Sequence, residues 1–493
     1  LGVIVKQGIK GTFLSYLGAF LGYANWVFLL PLFMSKSEMG LVRVLMDSAI
    51  LLATVFGFGI PQAIVRFYPF GNKNFSRQYF ATFGFVALAA GILFIPFFFL
   101  IRSPLESFFS EKAPLFNHYV LALIPIVLFS IAFDFFEAMN RIRLNITGAI
   151  FIKEVLFRLL IMVFITGYGL NMYDIDLLVL LLVVCYGAQA FAIGFLFLTR
   201  WSPDEGAFFP TMPTREQLRY MFLLFLGSGG TIIANQIDSV MTGGLKGLDY
   251  AAVYAMAFFM SSVVYMPSRS VNSISFSVVA AHFSSGNTEA LRSMYRKSSM
   301  QLFLIGTPIF LSIWFNIDFI FSLIPEDKTS ALSFADGKWV FFILGITRLF
   351  DMFLGINGVI LVNSKYYLWN MLTMPLLAIL TIITNLVFIP IMGINGAALA
   401  TLISVVGYNA VRFLVLWIKL DMQPFTWQSG QLLLLVLGLL GLSILFSFPN
   451  HFLQLAFSIL VLILGFCVPA YLLNFSPDLN DAWRRIWIKL MPK

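Results

Sequence analysis

The sequence predicts an all-α polytopic membrane protein: fourteen transmembrane helices in two six-helix lobes related by a parallel repeat, plus a C-terminal helix pair. Three observations lead there. Composition comes first: hydrophobic residues make up 60% of the chain and charged residues 11%, with a mean hydropathy of +0.92, whereas soluble domains carry about 25% charge. Continuous apolar runs of roughly 20 residues, enough to cross about 30 Å of hydrocarbon as a helix, recur along the whole chain. A membrane barrel would instead show alternating strands of about ten residues. Finally, the stretch from Pro31 to Tyr68 returns in varied form from Ser239 to Phe276, with Gly40 matching Gly247 and Pro61 matching Pro267 at offsets of 207 and 206 residues. Agreeing offsets point to duplication, and a parallel duplication of a bundle creates a boundary between similar halves, the usual place for a transport pathway.

The spans read as 11–33, 44–65, 79–101, 118–138, 148–168, 176–199, 219–243, 250–279, 299–323, 339–362, 367–390, 395–418, 430–448 and 452–474. These set a first lobe at 1–199, a second at 200–420, and a terminal pair with a cytoplasmic tail at 421–493. The longest polar connections, Arg200 to Leu218, His282 to Lys297 and Leu323 to Lys338, hold fewer than twenty residues each, too few for an extramembrane catalytic domain. Glu289 to Gln301 is basic and roughly amphipathic, which fits either a helix on the inner membrane surface or an ordinary basic loop. Cys185 and Cys467 both fall in apolar runs, and His118, His282 and His451 are scattered, so neither a disulfide nor a metal site is expected. No cleavable signal is visible; Lys6 and Lys10 precede a full-length first span that would act as its own insertion signal.

Lysine and arginine placement sets the orientation. The N-terminus and alternate connections hold nineteen of them, among them Lys6, Lys10, Lys73, Arg77, Arg200, Arg484, Arg485, Lys489 and Lys493. The opposite side holds seven: Lys36, Arg43, Arg102, Lys112, Lys246, Lys328 and Lys338. Such a bias places both termini in the cytoplasm and requires an even number of spans.

Charges inside spans cost about 2.5–3.5 kcal/mol each even on lenient scales, so they face the bundle interior and mark candidate sites. The spans carry Asp47, Asp134, Glu137, Lys153, Glu154, Arg158, Asp238, Arg269, Asp318, Arg348, Asp351 and Arg412. Glu154 and Arg158 lie four apart, and Arg348 and Asp351 three apart, so each pair can neutralise itself on one helix face. Lys153 can likewise satisfy Asp134 and Glu137 across the fourth and fifth helices. Arg66, Arg269 and Arg412 have no acid three or four residues away. Either they line a cavity or they snorkel to cytoplasmic headgroups, which suits Arg412, near its helix end, best. Arg66 and Arg269 sit beside Pro61 and Pro267, where a kink would free backbone groups that need polar company.

From Asn385 to Tyr408 the chain reads NLVFIPIMGINGAALATLISVVGY. An asparagine in a helix, a proline at its end, a Gly-x-x-Gly turn and Ala-Ala-x-Ala-Thr together resemble a hairpin of the polysaccharide exporters in the multidrug/oligosaccharidyl-lipid/polysaccharide exporter superfamily. Ser37-Glu38-Met39-Gly40, with a helix ending in Gly59, Pro61 and Arg66, is similar to that family's first hairpin, and Asp238 and Tyr254 also match its pattern. Within the superfamily the chain looks most like flippases for undecaprenyl-pyrophosphate-linked O-antigen units. It departs from the multidrug branch, which usually has twelve spans and often an acid in the first helix; here no charge lies between Lys10 and Lys36.

The resemblance implies a bacterial inner-membrane exporter, not an enzyme, that takes a lipid-linked oligosaccharide. Membrane lipids and other surface-polysaccharide assembly proteins are the expected partners; no cofactor, metal or nucleic acid is. A cationic seam suits an anionic headgroup, and arginine's planar donor fork matches phosphate oxygens; Arg66, Arg269, Lys153, Arg158, Arg348 and Arg412 are the candidate substrate contacts, and Asp47 and Asp238 are candidate coupling or cavity acids. Tyr16, Tyr23, Asn25, Trp26, Ser228, Thr231, Asn235 and Gln236 offer sugar contacts or plain helix packing. A cation-coupled drug exporter of the same fold would instead be controlled by its acids. A membrane-embedded enzyme would need a long loop or an Asp/His constellation, and a scaffold gives no reason for so many buried charges.

Overall fold

A backbone in hydrocarbon must satisfy its own N–H and C=O groups, so apolar runs of this length fold as helices. The computed structural model describes residues 2–68, 76–143, 145–199, 210–326, 330–446, 448, 450–478 and 480–481, and every regular element among them is helical. The side chain of Lys6, and Lys73, Arg200, Lys328, Arg484, Arg485, Lys489 and Lys493, lie outside the described residues.

The elements in chain order are α1 (Lys10–Phe33), α2 (Lys36–Gly57), α3 (Ile60–Phe67), α4 (Arg77–Ser110), α5 (Pro114–Ile142), α6 (146–169), α7 (Ile175–Leu198), α8 (Arg215–Lys246) and α9 (Leu248–Ser284). They continue as α10 (Thr288–Phe315), α11 (Ile317–Ser322), α12 (Phe334–Phe353), α13 (Asn357–Asn363), α14 (Tyr367–Met392), α15 (Ile394–Leu420), α16 (Trp427–Leu445) and α17 (His451–Leu472). Among the described residues eleven helices are long and apolar enough to cross a membrane, or twelve if α12 and α13, bent by 46°, form one span. The expected fourteen are met only to that extent, because α16 is a shorter apolar helix and α6 carries Lys153, Glu154 and Arg158.

Contacts gather the chain into two compact units: Leu1–Met256 with Ile324–Ser333 and Met374–Ala397, and Ala257–Leu323 with Phe334–Thr373 and Ala398–Lys493. In the first unit α2 packs against α5 and α8, and α5 against α7. Phe133, Ala149, Ile152, Ala190 and Ile193 form a core there. A capping box starts α2: Ser35 Oγ accepts from the Glu38 N–H at 3.3 Å while the Ser35 N–H donates to Glu38 Oε2 at 2.8 Å. Its end is a true stop. Phe58 (φ 39°) and Gly59 (φ 74°) are both left-handed, and Pro61 stands in the first turn of a new helix, α3.

The expected second span, 44–65, is therefore broken, and Pro61 starts a helix where a kink was expected. Pro267, matched to it in the sequence, lies inside the continuous α9, whose hydrogen-bond ladder it interrupts. In the second unit α10 packs against α12, α16 and α17. Glu289–Gln301 belongs to α10, where Leu291 and Tyr295 join the core with Val279, Ile360 and Leu416. It is neither a separate surface helix nor a loop.

Candidate functional site

Spacing of four residues puts Arg43 and Asp47 on one face of α2, and Arg43 Nε meets Asp47 Oδ2 at 2.6 Å with side chains 10% and 3% exposed. The Ser239 hydroxyl of α8 donates to the same carboxylate. Arg43 also reaches Gln236 Oε1 at 3.4 Å and lies over the Trp26 ring at 5.5 Å. One residue along α8, Asp238 accepts from the Tyr254 hydroxyl at 2.6 Å and from Asn385 Nδ2 at 2.7 Å. The α2 N-terminus continues this polar line: Ser37 Oγ donates to Asp249 at 2.5 Å, and the fully buried Lys36 pairs with Glu326 at 2.8 Å. Gly40 makes the approach possible, since a Cβ there would stand 1.9 Å from the Leu248 carbonyl oxygen.

Elsewhere in the same unit Glu154 binds Arg158 at 2.7 Å, as the spacing predicts, and the Arg158 main-chain carbonyl accepts from Asn25 Nδ2 at 3.0 Å. Gly18 and Gly22 of α1 leave room for the Arg158 side chain. Glu137 takes Lys153 at 2.9 Å and Arg141 at 2.7 Å, so Lys153 satisfies Glu137 as expected. Asp134 lies near that lysine and lines a cavity of about 50 Å³ with Thr54, Gln62 and Ser228 at the α2–α3 break.

The second unit holds its own cluster. Asp351 accepts from Asn409 Nδ2 at 2.8 Å, from the Tyr408 hydroxyl at 3.1 Å and from the Tyr265 hydroxyl. Arg348 does not pair with Asp351 as the three-residue spacing suggested. Its guanidinium lies over Phe258 at 5.4 Å and Tyr265 at 5.5 Å, and among the described residues no carboxylate forms an ion pair with it. Tyrosine and asparagine from α15 have taken the carboxylate instead. Nor does Arg412 snorkel: it is 5% exposed, lies over Tyr408 at 4.7 Å, and its Nε donates to Thr373 Oγ1 at 3.3 Å. Asp318, expected within a span, sits in α11 beyond the end of α10 and binds Lys338 with both oxygens at 2.7 Å.

Arg66 and Arg269 are both exposed, and among the described residues neither forms a salt bridge or side-chain hydrogen bond. Arg66 ends α3 of the first unit; Arg269 follows Pro267 in the second. Of the expected sugar contacts, Trp26 is buried under Arg43, Asn235 Nδ2 donates to the Thr231 carbonyl at 2.8 Å, and Ser228 Oγ accepts from Gln62 at 3.2 Å. Sequence reasoning placed Arg43 in an outside connection, although its four-residue spacing to Asp47 was visible. Lys36 offered no such signal, because Glu326 is 290 residues away. Tyr408 and Arg412 stand at four-residue steps from Ser404, a polar stripe that could have been read on α15.

The described residues thus form a multi-pass helical protein with paired charges sequestered inside its helices. The model of the family described as "Polysaccharide biosynthesis protein" matches residues 6–286, more than half of the chain, which therefore belongs to that family. The MatE model matches residues 230–387. No curated protein sequence matches. Among solved structures, the lipid II flippase MurJ in an inward closed conformation is similar at TM-score 0.71 and 15% identity, covering 94% of this chain and 99% of that one. An inward-facing multidrug resistance transporter of the MATE family gives TM-score 0.65 and 15% identity, covering 83% and 94%. The second is described as a member of the multidrug/oligosaccharidyl-lipid/polysaccharide superfamily, and this chain shares the fold of both.

Proposed function

We propose that the chain is a flippase moving an undecaprenyl-pyrophosphate-linked oligosaccharide, an O-antigen or similar surface glycan unit, from the cytoplasmic to the periplasmic leaflet of the bacterial inner membrane. The observation that carries this reading is the pair Arg66 and Arg269, two exposed cations that form no ion pair with a carboxylate among the described residues. An oligosaccharide cannot cross hydrocarbon unaided, since each polar group without a partner costs several kcal/mol. It needs a wet, polar route with the lipid tail left in the bilayer. Guanidinium forks stay charged when partly desolvated and match pyrophosphate oxygens; Arg348, Arg412, Lys153 and Arg158 are further candidate contacts. The lobes 1–199 and 200–420 rock against each other in alternating access, the spans 430–448 and 452–474 form a side wall or lipid groove, and both termini are cytoplasmic. Membership of a polysaccharide biosynthesis family and the likeness to a lipid-linked flippase support this choice.

The test is reconstitution with a fluorescent undecaprenyl-pyrophosphate oligosaccharide. Arg66→Ala and Arg269→Ala should each slow translocation at least tenfold, the effect of about 1.4 kcal/mol. Normal translocation by both variants removes these arginines from the mechanism. The MatE match at residues 230–387 favours a second reading, cation-coupled drug export. In that case organic cations move, lipid does not, and Asp47 or Asp238 governs the rate.

A further inference from the structure

The second unit contains a large cavity beside the Asp318–Lys338 pair and apart from the Asp351 cluster. It measures about 520 Å³ and lies where the α10–α12 connection meets the α16–α17 hairpin. Ligand cavities generally span about 300–1,000 Å³ and combine aromatic walls with a few polar groups. Here Trp314 and Trp339 stand 5.7 Å apart with rings tilted by 53°, and Phe319 and His451 face each other at 5.0 Å. Trp314 Nε1 donates to Ser443 Oγ at 3.0 Å, and Gln454 Nε2 to the Phe315 carbonyl at 2.7 Å, which fixes the walls.

Charge decides what fits. Lys338 is the one lysine or arginine among the described lining residues; it is bound to both oxygens of Asp318 and also lies 5.7 Å from the Trp314 ring centre. A phosphate would have to compete with Asp318 for it, and an ammonium would have to compete with Lys338 for the carboxylate. Among the described lining residues Lys338 and Asp318 thus cancel each other. The lining still offers outward acceptors on Asp318, which is 67% exposed, and the 54% exposed Trp339. A neutral pyranose suits both: its C–H face meets the electron-rich face of an indole, while its hydroxyls donate hydrogen bonds to the carboxylate.

We infer that this cavity is a saccharide-binding site. It deepens the flippase reading and rests on it for the source of the sugar, the glycan of the lipid-linked substrate held by the second unit while the lipid is elsewhere.

The probes are lipid-free isomaltotriose, tri-N-acetylchitotriose and a rhamnose trisaccharide, titrated onto the full-length protein in phosphatidylcholine nanodiscs. At least one should bind saturably, and Trp339→Ala and Asp318→Asn should each weaken it about tenfold. Trp339→Phe should retain most of the affinity. Failure of all three sugars to bind, unchanged affinity in Trp339→Ala, or displacement of the sugar by phosphoethanolamine would overturn the inference. Because the probes carry no lipid or pyrophosphate, the outcome separates from the translocation assay. Binding without any flipping sinks the flippase reading alone, and flipping without binding sinks this site alone.

Discussion

Replacing Arg43 by methionine should be among the costliest single changes in the first unit. Asp47 is 2% exposed and its nearest cation is Arg43 at 2.6 Å; without it the carboxylate keeps only the Ser239 hydroxyl. Breaking a buried pair by removing one partner costs about 3–5 kcal/mol, since a charge is left uncompensated. The reverse change is milder. In Asp47→Leu the guanidinium can still use Gln236 Oε1 and the Trp26 ring, so a loss of about 1–3 kcal/mol is expected. Because a well-packed apolar pair often replaces a buried ion pair without loss, the double variant Arg43→Met/Asp47→Leu should recover most of the damage, with a coupling of at least about 2 kcal/mol. Reversible denaturant titration of the purified protein in mixed micelles measures all four corners of the cycle. Additive losses, within about 0.5 kcal/mol, would refute the claim that these side chains hold each other inside the membrane.

Two further expectations follow from the same packing. Gly40→Ala sets a Cβ 1.9 Å from a main-chain oxygen that no rotamer can move, so it should destabilise by about 3 kcal/mol or more. Gly57→Ala on the same helix has open space and should be neutral in the same titration. In the second unit, Tyr408→Phe deletes one of three donors to Asp351 and should cost about 1.5–3 kcal/mol, as for hydrogen bonds to charged groups. Unfolding midpoints equal to wild type would show that Asp351 does not depend on that donor.

Much of this architecture was legible because it follows from local rules. Apolar runs must be helices in hydrocarbon, and helical periodicity alone pairs Glu154 with Arg158. What escaped depended on distant residues or on competition. Lys36 finds Glu326 only through the fold. Asp351 had an arginine three residues away, yet Tyr408 and Asn409, 57 and 58 residues downstream, reach it with better placed donors. The glycines and prolines that the sequence matched as a repeat do not share local geometry. Gly40 serves a close contact, whereas Gly247 (φ 122°) serves backbone direction at the end of α8. Pro61 opens a helix after two left-handed residues, and Pro267 is carried inside one.

That divergence bears on how the competing transport readings differ physically. Cation coupling through Asp47 or Asp238 requires an acid that can change partners during the cycle. Asp47 is held by Arg43 and Ser239, and Asp238 by Tyr254 and Asn385. An incoming proton or sodium ion would have to displace bonds that also tie α8 to α2, or α8 to α9 and α14, so uptake could occur only as those helices separate. On the flippase reading these acids keep their donors in this state, and the driving force acts on the cargo. With a negative interior, each anionic charge carried outward gains about 2.3 kcal/mol per 100 mV, and Arg66 and Arg269 need only hold the pyrophosphate during the passage. The readings therefore separate on the membrane potential. Collapsing it with an ionophore, at constant pH and sodium on both sides, should slow lipid movement if the cargo's charge is the coupled quantity. An unchanged rate under those conditions, together with a dependence on a sodium or proton gradient, would transfer the mechanism to the acids.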